Sequence, residues 1–93
     1  MSKEILLDPR FRKIVREYPK PTRKQIGTAI DGLQQQFGDP HRHSGLSVRK
    51  LVRDYFELRV GLELRLVFKL EKDAATFFFA GTHDEVKRFI KGG

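Results

Sequence analysis

The sequence contains no cysteine and no apolar run that approaches the length of a membrane span. The absence of cysteine excludes a disulfide framework, a thiol nucleophile and a cysteine-liganded zinc site, and it favours a cytosolic protein. A transmembrane helix needs about 20 consecutive apolar residues. Residues 1–4 lead into an acid-containing stretch instead of the apolar core of a signal peptide. We therefore expect a cytoplasmic protein without a membrane partner.

Glycine and proline are scarce as well, with eight and four residues among 93, and the chain has no internal repeat or low-complexity segment. Hydrophobic residues make up 39% and charged residues 33% of the sequence. This composition is typical of a globular protein and not of a disordered or fibrous one. Because the chain is near the lower size limit for one hydrophobic core, we expect a single domain over residues 1–93.

Acidic residues are too few to balance the basic ones. Nineteen Lys and Arg face twelve Asp and Glu, which gives a formal net charge of +7, and the basic surplus lies within residues 1–69. Such a surface attracts phosphates, acidic proteins or anionic lipid headgroups, and charge alone does not choose among them.

Two helices are predicted in the first half of the chain. Asp8 is a suitable N-cap, Pro9 fits the first helical position, and apolar residues follow at positions 11, 14, 15 and 18, before the break at residues 18–21. A capping box at residues 22–25 precedes an apolar stripe at positions 26, 29, 30, 33 and 37, which predicts a helix over about 22–37. Residues 5–7 fit either a short strand or a hydrophobic staple.

Alternating polar and apolar residues predict strands after residue 48. Residues 55–60 and 62–70 each place their even-numbered residues on an apolar face, which indicates an antiparallel pair. Both apolar sets must face the same core, so the connecting loop needs an odd number of residues, and we expect residues 60–62. This register places Arg59 opposite Glu63 and Glu57 opposite Arg65.

A third strand is predicted over residues 76–80, and a second capping box, from Thr82 to Glu85, predicts a short final helix. The expected fold class is therefore α+β, with two N-terminal helices packed on a twisted antiparallel three-stranded meander in two layers and a short C-terminal helix. Residues 39–47 form the longest irregular stretch, where functional residues are common.

The polar face of the meander gathers side chains suited to phosphate chemistry. Solvated cross-strand pairs are the simpler interpretation, each contributing roughly 0.2–1 kcal/mol. The alternative is cleavage of RNA through its own 2′-hydroxyl, which needs a base, cations around the phosphate and an acid. Glu57 or Glu63 is then the base, Arg59 and Arg65 provide the cations, and His83 is an acid or base near neutral pH. This chemistry needs no metal and no cofactor.

Further residues are candidates for nucleic-acid binding. The basic run of Arg49, Lys50 and Arg53 is either a solvated face or a patch that follows a phosphate backbone, and Lys69 extends the polar face. Phe78 either stacks on a base or packs under the last helix. The loop histidines His41 and His43 are a weak metal signal, and His43 is a candidate phosphate contact.

Four segments, in this order and spacing, resemble the RelE/ParE superfamily of bacterial type II toxins: residues 45–51 (GLSVRKL), 55–61 (YFELRVG), 64–68 (LRLVF) and 81–86 (GTHDEV). The resemblance implies a RelE/ParE-like fold with a concave basic face. It also implies a ribosome-dependent endoribonuclease, an mRNA interferase that binds RNA and inhibits translation. Its implied partners are mRNA on the ribosome and a cognate acidic antitoxin.

The resemblance also assigns roles to single residues. Arg65 matches the phosphate-binding arginine of the family, and His83 matches a position held by arginine or, in the YafQ-like branch, by histidine. Arg59 and Glu63 match positions that are catalytic in some members, and His43 lies near a loop histidine of the YafQ-like branch. Lys87 stands where many members have tyrosine or phenylalanine, and the paired strand lysines of RelE are absent.

Two other functions are compatible with the same fold. One is inhibition of DNA gyrase, as in the ParE branch, without RNA cleavage. The other is a non-catalytic member that only binds RNA or an antitoxin.

Overall fold

A five-stranded sheet with three helices forms the described part of the chain, residues 3–38 and 48–92 of a computed structural model. The elements are β1 (Glu4–Leu7), α1 (Pro9–Arg16), α2 (Lys20–Gly38), β2 (Val48–Val52), β3 (Tyr55–Val60), β4 (Leu64–Leu70), β5 (Ala74–Gly81) and α3 (His83–Lys91). The strand order is β1-β5-β4-β3-β2; only the β1–β5 pair is parallel. The predicted α+β fold class is confirmed.

The sheet has two more strands than the predicted three-stranded meander, one at each edge. Residues 5–7 belong to strand β1, which decides between the two alternatives left by the sequence. Strands were predicted after residue 48, but none was assigned to the residues of β2. Edge strands are exposed on more than one side, and in β2 only Leu51 is partly buried, so no polar–apolar alternation marks the segment.

Helix α1 begins where the sequence predicts, but α2 begins before the predicted capping box at residues 22–25, which therefore lies inside the helix. The Asp8 side chain accepts a hydrogen bond of 3.0 Å from the backbone N–H of Arg10, and Pro9 follows it in the first turn of α1. Helix α2 begins at Lys20, two residues earlier than expected, because Pro21 is tolerated in a first turn where its missing N–H has no helical acceptor.

The β3–β4 turn lies one residue further along than predicted. Val60 pairs with Leu64, so the loop is residues 61–63, and Gly61 adopts a left-handed φ of 65°. Leu62 lies at the tip and is 94% exposed. The odd loop length and the two faces are confirmed. The predicted register, with Arg59 directly opposite Glu63 and Glu57 directly opposite Arg65, is wrong, although Arg65 still reaches Glu57 diagonally. The glycine conformation allows the chain to reverse immediately after Val60, and this fixes the register.

One face of the sheet packs against α1 and α2 and forms the main core. Even-numbered residues of β3 and β4 lie on this face with Phe77 of β5, and the Phe77 ring centroid is 5.5 Å from that of Phe11 on α1. Ile26, Ala29 and Leu33 supply the buried stripe of α2, at the helical spacing that the sequence predicts.

Helix α3 packs on the opposite face, so the predicted two-layer arrangement is wrong for this element. A β-bulge in β5 makes Val67 pair with Phe79 while Phe68 pairs with Phe77. The bulge breaks the strict alternation on which the prediction relied, and it turns Phe79 towards α3. The Phe79 ring stacks on Phe89 with centroids 4.6 Å apart.

The capping box at the start of α3 is confirmed. The backbone N–H of Thr82 donates to Glu85 Oε1 at 2.8 Å, and the Glu85 N–H donates to Thr82 Oγ1 at 3.3 Å. These hydrogen bonds hold the pKa of Glu85 below its ordinary value. Burial, and then the charge of Glu85, raise the pKa of Tyr18. Within the described residues, no helix is long and apolar enough to cross a membrane.

Candidate active site between the sheet and helix α3

A buried carboxylate joins two arginines on the α3 face of the sheet. Glu57 is 2% exposed, and its Oε2 accepts a hydrogen bond from Arg65 Nη1 at 2.7 Å. Arg49 Nε lies 3.4 Å from the same oxygen. Arg49 stands directly opposite Glu57 across β2 and β3, whereas Arg65 is diagonal to Glu57 across β3 and β4. Three strands therefore meet in one ion-pair network.

This network leaves two buried polar atoms without a hydrogen-bond partner among the described residues: Glu57 Oε1, an acceptor, and Arg65 Nε, a donor. Buried polar atoms in folded proteins are almost always paired, because an unpaired one retains its full desolvation cost. An acceptor and a donor on neighbouring side chains match a ligand that offers both a hydroxyl and an anionic oxygen.

A hollow of about 170 Å³ lies between this network and α3, and we call it the arginine hollow. Its polar lining comprises Arg49, Glu57, His83, Lys87 and Lys91, and its apolar lining comprises Leu51, Val86 and Ile90. The α3 residues that line it lie three or four positions apart, on one side of the helix. Cationic side chains and an imidazole thus surround a single carboxylate, which favours an anionic ligand with apolar parts.

Arg59 and Arg65 lie directly opposite each other on β3 and β4, and therefore on the same face of the sheet. Like charges in this position repel, so the arrangement destabilises the unliganded sheet and an anion between them would relieve it. Arg65 also pairs with Gly81 of β5, two residues before His83. The register therefore brings the guanidinium groups and the first turn of α3 to the same end of the sheet.

Other candidate residues lie elsewhere. Glu63 is in the exposed β3–β4 turn and does not line the arginine hollow. Lys50 pairs with Phe56, whose ring packs against the main core, so this lysine is on the face opposite to Arg49. Lys69 pairs with Tyr55 on the α3 face, away from the hollow lining. His41 and His43 lie outside the described residues, and within those residues no group of three or more acidic or imidazole side chains could hold a metal ion.

The sequence reasoning missed two features of this site. Lys91 was not singled out, although its spacing of four and eight residues from Lys87 and His83 places all three on one side of α3. The pairing of Arg49 with Glu57 was missed because β2 was not predicted, so the basic run was assigned to a segment before the sheet.

No protein-family model matches this chain, and no curated protein is similar to it. Several solved structures, however, are similar to this protein. The RelB–RelE antitoxin–toxin complex of Methanococcus jannaschii has a TM-score of 0.69 at 19% identity, over 90% of this chain and 96% of that one. A mutant of the Escherichia coli toxin RelE in the free state has a TM-score of 0.71 at 17% identity, over 97% and 93%. The RelE–RelB complex of Pyrococcus horikoshii gives 0.65 at 12% identity, over 88% and 96%. The resemblance seen in the sequence motifs is thus confirmed for the fold, and this protein has the fold of the RelE toxins.

Proposed function

We propose that this protein is the toxin of a type II toxin–antitoxin system and acts as a ribosome-dependent mRNA endoribonuclease. One observation carries the proposal: Glu57, whose buried Oε1 has no partner in the described residues, lines the same hollow as His83, and its ion-pair partner Arg65 holds a buried donor that is also unpaired there. The RelE-like fold and the net charge of +7 support it.

The reaction is an attack of the RNA 2′-hydroxyl on the adjacent phosphorus. The hydroxyl proton passes to a base, the new P–O bond forms as the bond to the 5′-oxygen breaks, and an acid protonates that oxygen. The products are a 2′,3′-cyclic phosphate and a 5′-hydroxyl, so atoms and charge balance without an oxidant or a metal. Such a reaction needs one base, one acid and donors for the charge that develops on the phosphoryl oxygens.

Glu57 and His83, which line the hollow, provide the base and the acid, and Arg65 and Arg59 on the adjoining strands provide the cations. Glu57 Oε1 is the base in this proposal, because Glu63 lies in the exposed turn. Arg65 donates Nε–H to a phosphoryl oxygen, and Arg59, opposite it, adds positive charge. His83, which lines the same hollow as Glu57, protonates the leaving 5′-oxygen.

The proposed partners are mRNA on the ribosome and an acidic antitoxin. The similar RelE chains from Methanococcus jannaschii and Pyrococcus horikoshii were solved in complex with RelB. An acidic antitoxin complements the positive charge of this chain and would neutralise the surface that binds RNA.

The test adds purified protein to translating ribosomes and maps breaks in the mRNA by primer extension. We expect breaks with the parent protein and none with His83→Ala or Arg65→Ala. Lys24→Ala is the matched control, because Lys24 is an exposed cation on α2, away from the α3 face. Circular dichroism checks that each variant is folded. If both site variants cleave as well as the parent, the assigned roles are wrong.

A second candidate, a ParE-like inhibitor of DNA gyrase, is motivated by a departure from the expected catalytic set. Lys87 lines the arginine hollow at the position where the resemblance leads us to expect an aromatic residue. Inhibition of supercoiling by the purified protein, with the mRNA left intact in the translation assay, would support this function over RNA cleavage.

A further inference from the structure

A second hollow lies on the same face of the sheet, next to the arginine hollow. It has a volume of about 440 Å³ and is lined by Val52, Arg53, Tyr55, Phe89 and Ile90, and we call it the tyrosine hollow. Ile90 lines both hollows, so the two adjoin under helix α3. The two hollows are therefore neighbours with Ile90 between them, close enough for one polymer to contact both.

Two aromatic rings and one arginine line the tyrosine hollow, and a further ring and a lysine lie next to Tyr55. The rings of Tyr55 and Phe78 are in contact, with centroids 6.1 Å apart, and both side chains are only half-buried. Lys69 pairs directly with Tyr55 across β3 and β4, so the two side chains lie on the same face. Arg53 supplies a second cation at the rim.

Arg53 lies in the exposed turn between β2 and β3 with an uncommon backbone conformation. Its φ is 53°, in the left-handed region that glycine and asparagine adopt most readily. Nevertheless, a long cationic side chain occupies the position. Because the residue is exposed in the β2–β3 turn, packing against the core does not account for it.

We propose that the tyrosine hollow binds the base of a nucleotide that flanks the scissile phosphate in single-stranded RNA. The base stacks on Tyr55, and Arg53 and Lys69 contact the neighbouring phosphates. Stacking platforms beside cationic grooves are the usual means of binding single strands, and they accept any base because every base has a π-face. This subsite supplies affinity and positions the strand, and it does not select a base. The inference rests on the proposed function for the choice of RNA as the ligand.

The chain offers a direct measurement, because it contains two tyrosines and no tryptophan. In a Tyr18→Phe background, Tyr55 is the only tyrosine that emits. Titration with a short single-stranded RNA, carrying 2′-O-methyl groups to prevent cleavage, should quench this emission, since stacked bases quench tyrosine. A series of oligonucleotides with one abasic site moved along the strand should show one position at which quenching is lost.

Binding variants test the same inference independently. Fluorescence anisotropy of a labelled oligonucleotide should show that Tyr55→Leu weakens binding by about 5- to 150-fold, as expected for the loss of one base–aromatic stack. Tyr55→Phe retains the ring and should bind like the parent. Purine and pyrimidine oligonucleotides should lose affinity to a similar extent in Tyr55→Leu.

The outcomes separate this inference from the proposed nuclease activity. If mRNA is cut but Tyr55 emission is unchanged by bound RNA and Tyr55→Leu binds normally, the tyrosine hollow is not an RNA subsite and the nuclease proposal stands. If mRNA is not cut but quenching and the Tyr55→Leu defect are observed, the RNA subsite stands and catalysis is wrong. Absence of RNA binding, or quenching only by an acidic peptide, overturns the inference.

Discussion

The Glu57–Arg65 pair offers the sharpest test of the structure. Glu57→Gln keeps the size of the side chain and removes its charge, which leaves Arg65, whose side chain is 13% exposed, without an anionic partner in the described network. Removing one member of a buried ion pair costs about 3–5 kcal/mol. Because Arg65 retains some contact with solvent, we expect the free energy of unfolding to fall by about 2–3 kcal/mol. For a domain of this size, that lowers Tm by roughly 8–24 °C.

Arg49 provides an internal comparison. It contacts the same carboxylate oxygen at 3.4 Å, but its side chain is 61% exposed, so solvent screens the interaction. Exposed pairs of this kind contribute about 0–1 kcal/mol. Two double-mutant cycles, Glu57→Gln with Arg65→Met and Glu57→Gln with Arg49→Met, separate the two contacts. We expect a coupling energy of about 2 kcal/mol for Arg65 and below about 1 kcal/mol for Arg49.

Urea unfolding followed by circular dichroism measures these energies, provided that the transitions are two-state and the m-values agree among variants. Replacement of the whole pair by apolar residues, Glu57→Leu with Arg65→Met, should recover much of the stability, since the double variant leaves neither charge buried alone. A coupling energy for Arg49 that equals or exceeds that for Arg65 would refute the geometry on which this reasoning depends.

Two further predictions concern the core and the α3 cap. Phe77→Ala should lower the free energy of unfolding by about 3–5 kcal/mol, because the ring is fully buried. Leu62→Ala, at the exposed turn, should change it by less than about 0.5 kcal/mol. Similar urea midpoints for the two variants would contradict the assigned core. Thr82→Ala should cost about 0.5–2 kcal/mol through loss of the cap. The cap lowers the folded-state pKa of Glu85, so its contribution is complete above the ordinary pKa of 4.5 and disappears as the pH falls through the lower folded value. Because Thr82→Ala keeps the backbone N–H that donates to Glu85, the pH test uses Glu85→Gln, which removes the titrating carboxylate. Urea midpoints measured across acidic pH should fall less steeply for Glu85→Gln than for the parent, and parallel curves would show that this carboxylate is not the source.

The α3 cap and the two faces of β3 and β4 could be predicted from the sequence, because each depends only on residues close together in the chain. A capping box uses atoms within four residues, and alternation along a strand is fixed by the pleat, so both can be inferred without knowledge of the remaining chain. The paired faces and the odd turn length of the β3–β4 hairpin were accordingly correct. Its register was not, because the left-handed Gly61 moved the reversal by one residue and replaced the expected Arg59–Glu63 pair by Arg59–Arg65.

The candidate site depended on contacts that no local pattern encodes. Arg49 reaches Glu57 only because β2 pairs with β3 at the edge of the sheet. The exposed edge strand lacks the alternation of polar and apolar residues from which a strand is predicted. His83 was correctly placed at the start of α3, but the face on which α3 packs follows from the bulge at Phe78. A bulge is a property of two paired strands and is not visible in either one alone.

The sequence by itself determined the fold class, the two strand faces of the β3–β4 hairpin and the starts of α1 and α3, because hydrophobic periodicity and capping act over a few residues. Only the tertiary structure decided that Glu57 is buried between Arg65 and Arg49, and that α3 closes two adjoining hollows over the polar face. The physical reason is that strand register and burial arise from pairing between distant segments. The same carboxylate is a surface residue in the local pattern and the centre of an ion-pair network in the folded protein.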